Sequence, residues 1–317
     1  MDNGLIYKFA KKCEKPGKSL IWNTCNYFFR VLLIVLGRVI YNKICSEYPS
    51  KHIIVQPARS IGDGLHFGYF KSYLYNYLNI KEEDCILIIP DNTTMVYKAL
   101  GIKHYVPLKM WQVVALNAFC SFYESSKHNS TNVGRWMFFD YQMSCNQKLK
   151  PDYHCISKSA NIQEIKQSFS SIKCEIGRTV VLSPYEKSVT VQKEKRLDSD
   201  FWYKLAEELK RRGYNVCTNC KGDVDEPPIP GTCAFYPSLA NAEKAIELAG
   251  TCVAVRSGFV DFIGNTAGTL IILYPSEGFL NAYKIPILTD NHYEYVYDNL
   301  SDADLMEKVI GMVKPII

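Results

Sequence analysis

Cys252 to Pro275 reads CVAVRSGFVDFIGNTAGTLIILYP. Cys252–Arg256 predicts a strand, Ser257-Gly258 a turn, Phe259 the start of a helix, and Leu270–Tyr274 a second strand. A strand, a short glycine turn and a helix that leads to another strand is the unit from which parallel α/β sheets are built. Working upstream, Ser238 opens a helix through Ala249, and Glu226-Pro227-Pro228-Ile229-Pro230-Gly231 is an extended surface loop. Tyr214–Thr218 reads as a strand. The helix Ser199–Arg212 has a cap at Asp198 or Ser199, an apolar stripe of Phe201, Leu205 and Leu209, and a terminator in Gly213. Glu207–Arg211 and Glu208–Arg212 are its expected ion pairs. Thr179–Leu182 is a strand running into Ser183-Pro184. Downstream, the tail from Ser301 is amphipathic through Leu305, Val309 and Met312.

The first half repeats the unit. His52–Gln56 is a β-branched run stopped by Pro57, and Ser60-Ile61-Gly62-Asp63-Gly64 turns into a helix carrying Phe70, Leu74 and Leu78. Cys85–Ile89 is an apolar strand ended by Pro90-Asp91-Asn92, and Thr94–Leu100 is a helix ending at Gly101. Between Trp111 and Lys173 the periodicity is weak, so helices and loops are expected there without a motif. The chain therefore reads as two α/β units with a boundary near 150–178. Its expected parts are an arm over 1–50, domains over 51–175 and 176–300, and a terminal helix over 301–317.

Composition narrows the function. With 317 residues, 47% hydrophobic and 22% charged, the chain is globular rather than disordered or fibrous. Its net charge of +5 is unevenly placed. Residues 1–51 hold nine basic and three acidic side chains, a balance of +6, which leaves −1 for the other 266. A near-neutral body argues against nucleic acid as a partner. The twelve cysteines are scattered and several sit in apolar runs. No cleavable signal peptide precedes them, so they read as reduced cytosolic thiols. Cys217 and Cys220 form the only C-x-x-C, and no second pair stands at zinc spacing.

Residues 19–45 are strongly apolar around Tyr27-Phe28-Phe29 and Val31–Leu36, but Arg30 and Arg38 bracket that stretch. Each Arg costs roughly 2.5–3.5 kcal/mol at a bilayer centre, which speaks against a spanning helix. Two readings remain: a helix at the inner membrane surface, with residues 1–45 in peripheral contact, or a core helix of the first domain.

Ligands of open parallel sheets bind at the carboxyl ends of strands. In the turn Arg59-Ser60-Ile61-Gly62-Asp63-Gly64, Gly62 and Gly64 allow close backbone approach to a ligand. Asp63 there is either a general base or the cap of its helix. The turn lacks the Gly-Lys-Ser/Thr ending of a P-loop. Thr190, Lys193, Lys195 and Arg196 form either a diphosphate site before the Asp198/Ser199 helix start or a solvated basic loop. Arg256 either points into a cleft with Ser257 and Gly258 or pairs with Asp261. Asn219–Asp223 is the least specific of the four turns. The histidines are dispersed, no catalytic triad can be assembled, and no Asp-x-Asp suggests a metal-bound nucleotide sugar.

Together these features resemble the heptosyltransferase-like glycosyltransferases. The features that carry the resemblance are the strand leading to Gly62-Asp63 and a long helix, the basic turn Lys193–Arg196 before DFWYKLAEELKRRGYNV, and the Cys252–Pro275 run. The second half is also similar to sugar transferases of polysaccharide assembly. The resemblance implies two Rossmann-like domains facing across a cleft, the arrangement called GT-B, with a nucleotide sugar on the second domain. It also implies a glycan or lipid-linked acceptor approaching from the first, inverting transfer, and no metal or other cofactor. The family's Gly-Asp aspartate falls on Asp63 as the base. Its basic turn falls on Lys193–Arg196, and its Asp-x-Gly helix start on Arg256-Ser257-Gly258. At that last turn the chain departs from the pattern. Arg256 stands near the usual Asp and Asp261 near the usual His, so the resemblance does not extend to heptose as the donor sugar. Two competing readings are a polysaccharide-modifying phosphotransferase, for which no metal-binding carboxylate set is present, and a non-catalytic membrane-associated assembly factor.

Overall fold

A computed structural model describes residues 20–57, 60–122, 130–132, 152, 155–156, 160–186, 196–285 and 290–316. The chain divides into two compact units, Met1–Cys155 and Ile156–Ile317.

In the first unit, β1 (His52–Val55), β2 (Cys85–Pro90), β3 (Tyr105–Leu108) and β4 (Ser130–Asn132) form one sheet in the order β3-β2-β1-β4. Every pairing is parallel, with Ile54 opposite Leu87 on one side and Thr131 on the other. Ile53, Ile54 and Val55 are wholly buried, as is all of β2. Strands covered on both faces carry continuous apolar runs. Helix Ile61–Leu78 returns along this sheet and packs on helix Thr94–Ala99. The contact needs Gly64 and Gly68, one turn apart. A Cβ at Gly64 would lie 2.9 Å from Val96 Cγ1, and one at Gly68 2.4 Å from Leu100 Cδ2.

Helix Leu20–Glu47 also belongs to this unit and packs against helix Met110–Phe122. Tyr41 and Ile44 share a core with Ile53, Val55, Val113 and Phe119. Gly37 sets the closest approach, since a Cβ there would stand 2.1 Å from the Ala115 carbonyl oxygen. One face of the helix is thus core, as one of the two expectations for this segment had it. Among the described residues no helix is long and apolar enough to cross a membrane.

The second unit is a six-stranded parallel sheet in the order β10-β9-β8-β5-β6-β7. Its strands are β5 (Thr179–Ser183), β6 (Asn215–Thr218), β7 (Cys233–Ala234), β8 (Gly250–Val255), β9 (Thr269–Tyr274) and β10 (His292–Val296). Alternate residues enter opposite cores. Val181, Cys252, Ala254, Leu270 and Ile272 meet Ile165, Phe169 and Ile246 on one face. Val180, Leu182, Val253, Ile271 and Leu273 meet Phe201, Leu205, Leu209 and Leu305 on the other. The period of two that separates these sets is the strand's own.

Helix Ile162–Ser171 belongs to this second unit, because Ile165 and Phe169 are buried against its sheet. The division between the units consequently falls at 155/156, ahead of this helix. The terminal helix Asp302–Met312 packs into the same unit through Leu305 and Val309. Asp198 caps helix Ser199–Arg211, its carboxylate accepting from the Phe201 N–H at 2.8 Å. Glu208 pairs with both Arg211 and Arg212, while Glu207 takes Lys210 one position nearer than the expected Arg211. Gly213 ends the chain's turn after this helix at φ +90, as a terminator should.

Candidate functional site

Counted in chain order within each unit, the first sheet runs 3-2-1-4 and the second 3-2-1-4-5-6. This is the doubly wound order, in which connections diverge from the first strand to opposite sides and open a crevice at the carboxyl ends of strands 1 and 4. The crevice lies beside β1 and β4 in the first unit, and beside β5 and β8 in the second.

At the first crevice, β1 is followed by Gln56 and Pro57; Arg59 lies outside the described residues. Ser60, in an extended conformation, caps the helix by accepting from the Asp63 N–H at 3.2 Å. Ser60 rather than Asp63 is therefore the cap, and the half-buried Asp63 carboxylate stands in the first turn at the positive end of the helix, with Gly62 just before it. Gly64 serves packing: besides meeting Val96, its absent Cβ would lie 3.5 Å from Tyr97 Oη. Tyr97 is wholly buried, its hydroxyl has no hydrogen-bond partner, and burial with the nearby Asp63 charge pushes its pKa up. The phenol thus stays neutral beside the turn. Gln56, 1% exposed, also has its side-chain oxygen without a partner. Sequence reasoning passed over both. Tyr97 lies in a short helix that carries no motif, whereas Gln56, a lone amide ending an apolar strand, is a usable signal.

At the second crevice, β5 leads through Pro184 and Tyr185 to Glu186. Residues 187–195, including Thr190, Lys193 and Lys195, lie outside the described residues. Arg196 is described, with Nε 3.3 Å from Glu186 Oε1. The Glu186 side chain is only 7% exposed, and burial raises its pKa while Arg196 opposes the rise. From the neighbouring strand β8, Arg256 reaches Asp261 through Nη2 at 2.7 Å and Nη1 at 3.1 Å. Its Nε donates to the Tyr283 carbonyl at 2.7 Å and Nη1 also to the Ser257 carbonyl at 2.6 Å. These four contacts occupy most of a guanidinium's five N–H bonds. Of the two expectations for Arg256, the pair with Asp261 is the one present. It ties the end of β8, the start of helix Gly258–Ile263 and the end of helix Glu277–Tyr283 together. The Ser257 hydroxyl beside it is buried without a hydrogen-bond partner. Ser183 at the end of β5 accepts from Asn219 Nδ2 at 3.0 Å.

The turns after β5 and β8 therefore come from adjacent strands and flank one crevice, while Asn219–Asp223 follows β6, one strand farther out. Among the described residues no group of three or more His, Cys, Asp or Glu is placed to hold a metal ion.

No protein-family model and no curated protein matches the sequence. Among solved structures, the ADP-heptose lipopolysaccharide heptosyltransferase II of E. coli superposes with a TM-score of 0.56 at 11% identity, over 82% of this chain and 98% of that one. The fold is that of a heptosyltransferase. A family 9 glycosyl transferase from Veillonella parvula matches at a TM-score of 0.48 and 12% identity, over 84% and 92% of the two chains. E. coli heptosyltransferase WaaC with ADP-2-deoxy-2-fluoro heptose matches at 0.47 and 10%, over 82% and 99%.

Proposed function

We propose that this protein is a glycosyltransferase of GT-B architecture that moves a sugar from a nucleotide-sugar donor to a glycan or lipid-linked acceptor in cell-surface polysaccharide synthesis. The observation that carries the reading is the doubly wound strand order in both units, with Asp63 at one crevice and Arg196 beside Glu186 at the other. The heptosyltransferase fold supports it.

In this reading Asp63 accepts the proton of an acceptor hydroxyl. The acceptor oxygen attacks the anomeric carbon opposite the nucleoside diphosphate, the new carbon–oxygen bond forms, and the electron pair of the broken bond departs with the diphosphate. The configuration inverts, and the proton passes from Asp63 to solvent. Thr190, Lys193, Lys195 and Arg196 stabilise the departing diphosphate without a metal, together with the Ser257 hydroxyl. Such pre-placed stabilisation of developing charge is usually the largest catalytic contribution. Arg256 and Asp261 act by holding the Ser257-Gly258 turn in place. The Tyr97 hydroxyl, buried and neutral, lies near the Asp63 charge. Residues 1–45 keep the enzyme on the cytoplasmic face of the membrane, near a lipid-linked acceptor.

Calorimetric titration with UDP, GDP, ADP and CMP tests this. One nucleotide is expected to bind, with the same affinity with and without magnesium. Asp63→Asn is expected to retain that binding and to lose about 100-fold or more in transfer, the range for a removed general base. Full turnover by Asp63→Asn overturns the base assignment. Silence toward all four nucleotides overturns the transferase and leaves a non-catalytic assembly factor.

A further inference from the structure

Helix Leu20–Glu47 has two apolar faces, and only one is covered. Leu33, Tyr41 and Ile44 are buried against the first unit, with Gly37 at the contact. Tyr27, Phe28, Val31, Leu32, Val35 and Val39 are exposed, from 41% to 67%. At about 100° per residue, Phe28, Leu32, Val35 and Val39 lie on one stripe, directly opposite Leu33, Gly37, Tyr41 and Ile44. Arg38 and Lys43 fall on the two shoulders of that stripe, roughly 50–90° from its centre. A contiguous apolar face of this kind marks an interaction surface.

The sequence around the stripe selects its occupant. Lys8, Lys11, Lys12, Lys15 and Lys18 precede it, against only Asp2 and Glu14. A second copy of the chain docked there would bring two such cationic segments together, which like-charge repulsion disfavours. An anionic lipid surface neutralises them. The covered face rules out a spanning role for the same helix, because Leu33, Gly37 and Tyr41 are occupied by helix Met110–Phe122.

We infer that the Phe28–Leu32–Val35–Val39 face of this helix lies in the interfacial layer of an anionic bilayer, with Tyr27 and Phe28 at headgroup depth and Arg38, Lys43 and the preceding lysines on acidic headgroups. This rests on the peripheral placement proposed above and names the surface and the lipid class that produce it. Amphipathic helices bind membranes in this way, by buried apolar area together with attraction to anionic lipid.

The test is flotation of the full chain with vesicles of phosphatidylcholine alone and with phosphatidylglycerol added. Binding is expected only with phosphatidylglycerol and is expected to weaken at high salt. Leu32→Glu with Val35→Glu is expected to lower binding about tenfold or more, with unchanged circular dichroism because both positions are exposed. Phe28→Glu alone supplies the same test should the double variant misfold. Replacing the five lysines by Gln is expected to abolish the preference for phosphatidylglycerol. Equal flotation of the folded Glu variants overturns the inference, as does failure of the native chain to float. A native dimer in light scattering that Leu32→Glu with Val35→Glu turns into a monomer also overturns it, in favour of a second copy. Vesicle binding needs no nucleotide. Silence in the nucleotide titration with intact flotation therefore counts against the transferase alone, and nucleotide binding without flotation counts against this surface alone.

Discussion

The two crevices share a strand order and differ in how their polar atoms are engaged. In the second unit, Arg256 directs four hydrogen bonds into its own surroundings and fixes the turn after β8. In the first, the Tyr97 hydroxyl and the Gln56 side-chain oxygen are buried without partners, next to a turn whose backbone is held by Ser60. A buried polar group left unpaired costs about 1–3 kcal/mol. Both crevices thus hold buried polar atoms without a partner, Tyr97 Oη and Gln56 Oε1 in the first and Ser257 Oγ in the second, but only the second ties its turn down with a side-chain network.

The largest expected effect breaks the rigid side of this comparison. The side chains of Arg256 and Asp261 are 12% and 19% exposed. Asp261→Ala strands a largely buried guanidinium and is expected to cost about 3–5 kcal/mol of stability in urea denaturation. The double replacement Arg256→Met with Asp261→Leu is expected to recover most of that loss, since it removes both charges. Asp63→Asn in the first unit is expected to cost less than Asp261→Ala, because it keeps the side chain's shape and leaves in place the Ser60 cap, which uses the Asp63 N–H. A loss at Asp63 equal to that at Asp261 would make the two turns alike. Next in size is Gly64→Ala. Its Cβ would press on Val96 at 2.9 Å and displace the helix that carries Tyr97. Overpacking costs typically about 1–3 kcal/mol and the gain in helix propensity is about 1 kcal/mol, so a net loss near 1 kcal/mol is expected by thermal unfolding.

The same contrast between covered and uncovered surfaces explains what the sequence disclosed. Among the described residues the six interior strands, β1, β2, β5, β6, β8 and β9, are legible as apolar runs, because each is buried on both faces between two neighbours. The four strands without such a run, β3, β4, β7 and β10, are the sheet edges. Tyr105-Val-Pro-Leu contains a proline that only an edge accommodates. Ser130-Thr-Asn is polar throughout, and Cys233-Ala is two residues long. The turns after β1 and β8 are legible because glycines and charges interrupt apolar runs at the ends of interior strands. Spacing alone left open whether Arg256 faces a ligand or Asp261, a matter of side-chain direction that arises only in three dimensions. Helix Leu20–Glu47 illustrates the same limit: its apolar residues circle the whole helix, and only packing separates the face against helix Met110–Phe122 from the face left outside.

Smaller effects sharpen the comparison. Tyr97→Phe removes a buried hydroxyl that has no partner, so stability is expected to hold or to rise by up to about 1 kcal/mol. A loss of that size instead would mean that the hydroxyl is already satisfied.

The smallest expected effect concerns pH and belongs to the second crevice. Burial raises the Glu186 pKa above its ordinary value of 4.5, against the pull of Arg196. As pH rises from about 4.5 toward the folded pKa, the unfolded chain releases this proton first. Folding then binds a fraction of a proton, so stability contributed by Glu186 is full below that window and declines across it. Glu186→Gln is expected to remove this slope from urea midpoints measured between pH 4 and about 7, while leaving the Asp261 effect intact. Arg196→Gln is expected to steepen the slope, because the opposing cation is gone. If the native protein instead gains stability as pH rises through this window and Arg196→Gln abolishes that gain, the ion pair at 3.3 Å dominates over burial, and Arg196 is anchored by charge in the way that Arg256 anchors the turn after β8.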